Sequence, residues 1–128
     1  MQSLPQLVRV LVVHHEGVVA EIYAKFFRHR GYVVESAENA EQAIEIATRF
    51  KPHAAVCDVM LPGTSGVDLD LWFREHQPGC RVLLVCPNPK GFQMVEDSIR
   101  RGHSHTVLQP PIQVSEMFDF VAATKSDT

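Results

Sequence analysis

Asp58 has the surroundings in this sequence that best suit chemistry. It ends an apolar run at residues 54–57, which is typical of a short buried strand, and a Pro-Gly turn follows at residues 62–63. An acid at the carboxyl end of a buried parallel strand lies where open α/β sheets bind their ligands. A Pro-Gly turn holds the neighbouring loop in a fixed shape. The pattern therefore predicts a carboxylate site at one edge of a parallel sheet.

Five apolar, β-branched runs alternate with five helical patterns around this segment. We predict strands at about 8–13, 32–36, 54–58, 81–86 and 106–108. We predict helices at about 18–29, 40–50, 66–76, 91–101 and 113–123. Nearly continuous apolar strands separated by helices are typical of a parallel sheet that is covered on both faces. The predicted fold class is therefore α/β, a doubly wound five-stranded parallel sheet with five helices.

Apolar residues at helical spacing predict which face of each helix is buried. In the first helix these residues are Val18, Val19, Ile22 and Phe26. In the fourth helix they are Val95 and Ile99. Asn39 and Ser65 precede the second and third helices and are expected to cap them. We expect Trp72 to be partly buried and the loop histidines His103 and His105 to be solvated.

The composition is that of an ordinary globular domain, with 128 residues, 45% hydrophobic content and a net charge of −3. It predicts one domain over residues 1–128, with a core at about 8–123 and a polar tail at 124–128. The slightly acidic balance argues against direct nucleic-acid binding, and no apolar run is long enough to span a membrane. Three cysteines without metal-type spacing and no signal-peptide pattern predict reduced thiols in a cytoplasmic protein.

The segment from Asp58 to Gly66 resembles the phosphoacceptor segment of bacterial response-regulator receiver domains. The matching loop residues are Met60, Pro62, Gly63 and Gly66. The resemblance covers nearly the whole chain and implies a flavodoxin-like receiver fold with strand order 2-1-3-4-5. It also implies two-component phosphorelay signalling, in which a histidine kinase transfers a phosphoryl group to Asp58 with the help of Mg²⁺.

The resemblance places the remaining positions of the phosphorylation site on residues that depart from the family pattern. The two acids that help to hold Mg²⁺ are replaced by His14 and His15, and the hydroxyl position falls on Cys86. The lysine position falls on Gln109, or on Pro110 after a one-residue slip. Without the slip, Pro110 is the candidate for the cis proline that follows the lysine. The switch aromatic becomes Thr106, or Val107 after the slip.

These departures weaken the chemistry that the family uses. Mg²⁺ prefers oxygen ligands, and imidazole is a poor replacement for a carboxylate. A thiol is a weak hydrogen-bond donor to a phosphoryl oxygen, and glutamine cannot neutralise its charge. Five departures together indicate that the Mg²⁺-dependent reaction is lost or altered. His14 and His15 are then either two surface histidines at a strand end, or a pair that replaces Mg²⁺ electrostatically or binds another metal with Asp58.

Three interpretations stay open at this point. The first is a pseudo-receiver, a regulatory interaction module that binds a histidine kinase or another signalling protein, or a second copy through its fourth helix, fifth strand and fifth helix. The second is a working receiver, whose only enzymatic activity is self-phosphorylation at Asp58 with a histidine kinase or an acyl phosphate as donor. The third is a metal or redox sensor in which His14, His15, Asp58 and Cys86 suit Zn²⁺ better than Mg²⁺. The sequence leaves open whether the domain stands alone or belongs to a longer regulator.

Overall fold

The computed structural model describes residues 7–124, in which five strands alternate with five helices. The strands are β1 (Arg9–Val13), β2 (Val33–Ala37), β3 (Ala54–Asp58), β4 (Arg81–Val85) and β5 (Thr106–Leu108). The helices are α1 (Gly17–His29), α2 (Ala40–Phe50), α3 (Gly66–His76), α4 (Pro89–Arg100) and α5 (Val114–Ala122). All strand pairs are parallel, in the order β2-β1-β3-β4-β5. The predicted fold class and strand order are confirmed.

The sheet separates two apolar cores because successive side chains of a strand point to opposite faces. On β3, Ala55 and Cys57 belong to the core under α2, α3 and α4. Ala54 and Val56 belong to the core under α1 and α5. The whole of β3 is buried, since it lies between β1 and β4 and is covered on both faces. Asp58 ends this central strand opposite Val85 of β4.

Side chains cap three of the helices, and two of these caps are predicted correctly. The Asn39 side chain accepts a hydrogen bond from Gln42 N at 2.8 Å, and Ser65 Oγ accepts one from Asp68 N at 3.2 Å. Asn88 caps α4 by accepting from Gly91 N at 2.9 Å. This third cap starts α4 at Pro89, two residues before the predicted start, because a proline suits the first turn of a helix.

The prediction for the inner face of α1 is wrong. Val18, Ile22 and Phe26 are 75%, 45% and 42% exposed, and Val19 is only partly buried. The helix instead buries Ala20, Ala24 and Phe27. Two alanines let the α1 backbone lie close to the sheet, and Phe27 then packs edge to face with Phe118 of α5 at a ring separation of 5.2 Å. Tight packing against the sheet therefore selects the small residues of α1, and the larger apolar residues remain outside.

The prediction for α4 is wrong at one position. Val95 is buried as expected, but Ile99 is 51% exposed and its neighbour Ser98 is buried in its place.

Thr124, assigned to the polar tail, is also buried and accepts a hydrogen bond from Arg81 Nη1 at 2.9 Å. The rest of that tail, residues 125–128, and the lead-in at residues 1–6 lie outside the described residues. Within residues 7–124 no helix combines the length and apolar character needed to cross a membrane.

Candidate functional site

The carboxylate of Asp58 lies at the carboxyl edge of the sheet and is almost wholly buried, with 2% of the residue exposed. Its Oδ1 atom accepts a hydrogen bond from Met60 N at 3.0 Å. This bond curls the loop back over the end of β3. The second oxygen, Oδ2, points towards the segment that follows β1, because β1 and β3 are neighbours in the sheet.

Both histidines that follow β1 contact Asp58. His15 Nδ1 lies 2.9 Å from Asp58 Oδ2, and His14 Nε2 lies 3.5 Å from the same oxygen. The two imidazole rings are stacked, with a centroid separation of 4.7 Å and an interplanar angle of 19°. The His14 side chain is 17% exposed and that of His15 is 43% exposed. The pair is therefore half open to solvent and directed at one buried carboxylate.

The charge state of His14 follows from its surroundings. Burial lowers the pKa of His14, and neighbouring His15 lowers it further. The negative charge of Asp58 raises this pKa but offsets the lowering only in part. Glu16 N donates to His14 Nδ1 at 3.0 Å. A neutral His14 therefore carries its proton on Nε2, facing Asp58. Tyr23 packs edge-on against His14, and burial together with the Asp58 charge raises its pKa, so its hydroxyl stays protonated.

The loop after Asp58 depends on two glycines of the predicted motif. Gly63 has a φ of 76°, a left-handed conformation that glycine adopts at no steric cost. At Gly66, the first residue of α3, a Cβ atom would lie 2.2 Å from the backbone oxygen of Asp58. Only glycine lets α3 begin this close to the end of β3. The motif therefore holds the first turn of α3 against the backbone of Asp58.

The structure does not bring Cys86 into the Asp58 cluster. Its thiol is buried and donates to Asn88 O at 3.3 Å. Burial raises the pKa of the Cys86 thiol, so it remains protonated at neutral pH. Among residues 7–124, the group that could hold a metal ion is His14, His15 and Asp58.

Gln109 and Pro110 lie beyond β5 and are exposed. Both line a cavity of about 240 Å³ beside the β4–α4 loop. The cis peptide bond in this segment joins Pro110 to Pro111. The prediction of Pro110 as the cis proline is therefore wrong by one residue, because the chain turns at the second of the two prolines.

The donor set around Asp58 does not fit Mg²⁺. A hard cation of this kind wants octahedral oxygen ligands, and here one carboxylate is flanked by two imidazoles. In the tautomer fixed by Glu16 N, the nearest atom of His14 to the carboxylate is an N–H donor rather than a ligand. The histidine pair thus occupies the side of Asp58 from which a hard cation would approach it.

A second histidine–carboxylate cluster, which the sequence did not predict, lies between α3 and α4. His105, just before β5, places Nδ1 2.6 Å from Asp70 Oδ2 on α3 and Nε2 2.7 Å from Ser98 Oγ on α4. Its side chain is completely buried. Arg74 contacts Asp70 at 3.4 Å and also donates to Ser104 O. The expectation that His105 is a solvated loop residue is wrong, while His103 is exposed as expected.

The sequence did contain a signal for this second cluster. Asp70 lies three residues after Val67 and three before Phe73, on the buried face of α3. An acid on a buried helix face requires a polar partner, since an unpaired buried charge is costly. Ser98 lies in the same way three residues after the buried Val95. The spacing indicates that partners exist, but only the packing of α3 on α4 shows that the partner is His105.

A doubly wound parallel sheet with a buried acid at the carboxyl end of its central strand defines the class of signal-receiver domains. The family model described as the response regulator receiver domain matches residues 10–122. The chain belongs to this family.

Three similar proteins illustrate the relationship. TcrX of Mycobacterium tuberculosis, a probable transcriptional regulatory protein, is 41% identical over 80 residues, covering 62% of this chain and 34% of TcrX. The polar-differentiation response regulator DivK of Brucella anthropi is 19% identical over 118 residues, covering 92% of this chain and 96% of DivK. The signal receiver domain of an HD domain-containing protein from Pseudomonas fluorescens Pf-5 superposes with a TM-score of 0.81 at 17% identity, covering 93% of this chain and 94% of that one. The match therefore spans only about a third of the length of TcrX.

Proposed function

We propose that this chain is an atypical receiver domain, a pseudo-receiver, which regulates partner proteins by contact and does not use Mg²⁺-dependent phosphorylation of Asp58. The observation that carries the proposal is the contact of Asp58 Oδ2 with His15 Nδ1 at 2.9 Å and with His14 Nε2 at 3.5 Å. In the family, the acids at the positions of His14 and His15 help to hold the metal on this side of the carboxylate.

Phosphoryl transfer to an aspartate needs a free carboxylate oxygen and positive charge around the transferred group. In this chain Oδ1 accepts from Met60 N, and Oδ2 faces two imidazoles. The usual hydroxyl and lysine positions hold Cys86, Gln109 or Pro110, none of which carries a positive charge. The histidines thus contact the Asp58 carboxylate in the resting protein without supplying the divalent cation that the reaction uses.

Partner binding is assigned to the exposed apolar residues of α1, here named the α1 patch: Val18, Ile22 and Phe26. Residues four apart lie on one side of a helix, so the three side chains form a continuous apolar stripe. The patch begins four residues after His14, and Lys25, Arg28 and His29 lie nearby. An apolar stripe with a basic flank suits the helix of a histidine kinase or of another signalling protein. The exposed Ile99 of α4 supports a second contact, a homodimer through α4, β5 and α5.

The test is to incubate the protein with Mg²⁺ and acetyl phosphate and to measure its intact mass. The matched control is Asp58→Asn, and a receiver domain that acetyl phosphate labels efficiently serves as the positive control. We expect no phosphoryl adduct on the native chain. A double variant, His14→Asp with His15→Asp, restores the acid pair and should gain Mg²⁺ affinity, measured by calorimetry.

Two outcomes would overturn the proposal. One is an adduct on the native protein that Asp58→Asn abolishes, because the domain would then be a working receiver with unusual residues. The other is millimolar or tighter Mg²⁺ binding by the native protein that the double variant does not improve. Either result would show that the histidines do not displace the metal.

A further inference from the structure

We propose that His14, His15 and Asp58 form a binding site for a divalent transition-metal ion of the Zn²⁺ type. The site would replace the hard-cation site of the family with one of different chemistry. The inference rests on the proposed function, since both place the histidine pair where Mg²⁺ is otherwise held. It goes further by naming the class of ion that this donor set selects.

The ligand atoms are already close to a metal-binding arrangement. His14 Nε2, His15 Nδ1 and one Asp58 oxygen lie within 4.8 Å of one another. In a tetrahedral Zn²⁺ site with bonds of about 2.0–2.1 Å, ligand atoms lie about 3.3 Å apart. The His14–Asp58 separation of 3.5 Å is near this value, and the His15–Asp58 separation of 2.9 Å must widen by a few tenths of an ångström. Side-chain adjustments alone can make this change, because His15 is 43% exposed.

Glu16 supports His15 as the first of the two imidazole ligands. Its Oε1 atom lies 3.4 Å from His15 Nε2, the ring nitrogen that faces away from Asp58. A carboxylate that accepts the proton of the non-ligating nitrogen fixes the tautomer and makes the ligating nitrogen more basic, as is usual around metal-bound histidines. When the ion binds, the His15 proton would move to Nε2, facing Glu16, and Nδ1 would supply its lone pair in place of its hydrogen bond to Asp58 Oδ2.

His14 is the weaker ligand. Glu16 N donates to its Nδ1 atom, so the neutral ring carries its proton on Nε2. Metal binding at Nε2 moves that proton and breaks the bond from Glu16 N. His14 is also the more buried ring, at 17% exposed against 43% for His15, so it has less freedom to adjust towards an ion. We therefore expect both imidazoles to contribute, with His15 more important than His14.

The ligand set is two imidazoles and one carboxylate, without a thiolate. Cys86, included in one interpretation of the sequence, donates its S–H to Asn88 O and is not part of the cluster. Three protein ligands leave the fourth position of a tetrahedral ion open on the exposed side of His15. That position is available to water or to a side chain of a bound partner.

The experiment uses the full chain without an affinity tag, stripped of metal with a chelator. Zn²⁺ is added while the melting temperature and the heat of binding are measured, and Co²⁺ serves as a spectroscopic probe of ligand geometry. We expect a melting temperature that rises with Zn²⁺ concentration, because an ion that binds only the folded chain stabilises it. We also expect the visible absorption of tetrahedral Co²⁺ and no response to Mg²⁺ at equal concentration.

The variants rank the ligands. His15→Ala and Asp58→Asn should abolish measurable Zn²⁺ binding, and His14→Ala should weaken it by less. Glu16→Gln should weaken binding by about tenfold, the smaller effect of losing an outer partner. The matched control is His103→Ala, because His103 is an exposed histidine outside the cluster. Circular dichroism checks that each variant is folded. The Co²⁺ spectrum of the native chain tests the ligand geometry without any substitution.

The outcomes separate this inference from the proposed function. Zn²⁺ binding without acetyl phosphate labelling supports both. No Zn²⁺ or Co²⁺ binding, or equal binding by the native chain and His15→Ala, overturns the metal site and leaves the pseudo-receiver untouched. Labelling of Asp58 with Mg²⁺ overturns the proposed function, whatever the Zn²⁺ result.

Discussion

The two histidine–carboxylate clusters of this domain use the same chemical groups in opposite surroundings. At the carboxyl edge of the sheet, Asp58 faces His14 and His15, and the side chain of His15 is 43% exposed. Between α3 and α4, Asp70 and Ser98 enclose His105, whose side chain is completely buried. The His–Asp distances are similar, 2.9 Å in the first cluster and 2.6 Å in the second.

The difference lies in how many hydrogen-bonding groups are already satisfied. His105 uses both ring nitrogens within the protein, so nothing remains for a ligand. At Asp58 the two histidines are partly open, and one carboxylate oxygen is shared between them. A buried and saturated pair stabilises the fold, whereas an open pair that shares one oxygen can exchange its proton for a cation. The Asp70 cluster therefore stabilises the fold, and the Asp58 cluster is the one for which we propose binding.

The largest effect is expected from Asp70→Ala. It removes the acceptor of His105 and the contact to Arg74, which leaves a buried histidine without its carboxylate. Breaking a buried pair in this way costs about 3 kcal/mol of unfolding free energy. Urea denaturation followed by circular dichroism measures the loss. Asp68→Ala, two residues away on the exposed side of α3, should cost less than about 1 kcal/mol. Equal losses for the two variants would contradict the structural role of Asp70.

Gly66→Ala tests the rigid support of Asp58. The new methyl group would meet the Asp58 backbone oxygen at 2.2 Å, so the start of α3 and the end of β3 must move apart. Overpacking of this kind costs about 2 kcal/mol. Gly79→Ala is the matched control, since a Cβ atom there meets nothing within 4 Å. A melting temperature unchanged by Gly66→Ala would show that the loop adapts without cost.

Ser98→Ala probes the other side of His105. Its hydroxyl lies 2.7 Å from His105 Nε2, and the alanine variant leaves that buried nitrogen without a partner. The expected loss is about 1–2 kcal/mol of unfolding free energy, measured by urea denaturation. The control is Ser115→Ala on the exposed side of α5, for which we expect a change below about 0.5 kcal/mol. If Ser98→Ala were as stable as the native chain, the cluster would not depend on this bond.

The Cys80 thiol, near Asp70, should make the free energy of unfolding depend on pH in the alkaline range. Burial, and secondarily the Asp70 charge, raise the pKa of Cys80 from 9.0 to about 12. Between pH 9 and 12 the unfolded chain loses this proton first, so the contribution of Cys80 to stability falls as the pH rises through that range. At pH 10 the loss is about 1.4 kcal/mol. It is measured as the difference in pH dependence between the native chain and Cys80→Ser, and parallel curves would contradict it.

The smallest effect on stability is expected at His15. The His15 side chain is 43% exposed, and His14 Nε2 stays 3.5 Å from Asp58 Oδ2, so the buried carboxylate keeps a partner and His15→Ala should lower the free energy of unfolding by only about 0.5 kcal/mol. The same variant should abolish Zn²⁺ binding. Comparing its urea denaturation curve with that of His105→Ala separates the two clusters directly. A large loss of stability at His15 would contradict its assignment to binding.

Local sequence was sufficient for the elements and for the position of the acid. Alternation of apolar strands with helical patterns predicted ten elements, and the motif after Asp58 placed that carboxylate at the end of the central strand. The caps at Asn39 and Ser65 were also predictable. These features depend on residues close together in the chain, because hydrogen-bonding patterns of strands, turns and caps are local.

The contacts that give the two clusters their roles were decided by the tertiary structure. His15 lies 43 residues from Asp58 in sequence, and His105 lies 35 residues from Asp70. The buried face of α1 likewise depends on packing: Ala20 and Ala24 face the sheet because small side chains let the helix approach closely, although larger apolar residues lie on another face. Spacing along a chain shows that a side chain needs a partner. Which partner it finds depends on how helices and strands pack, and that packing is a property of the whole core.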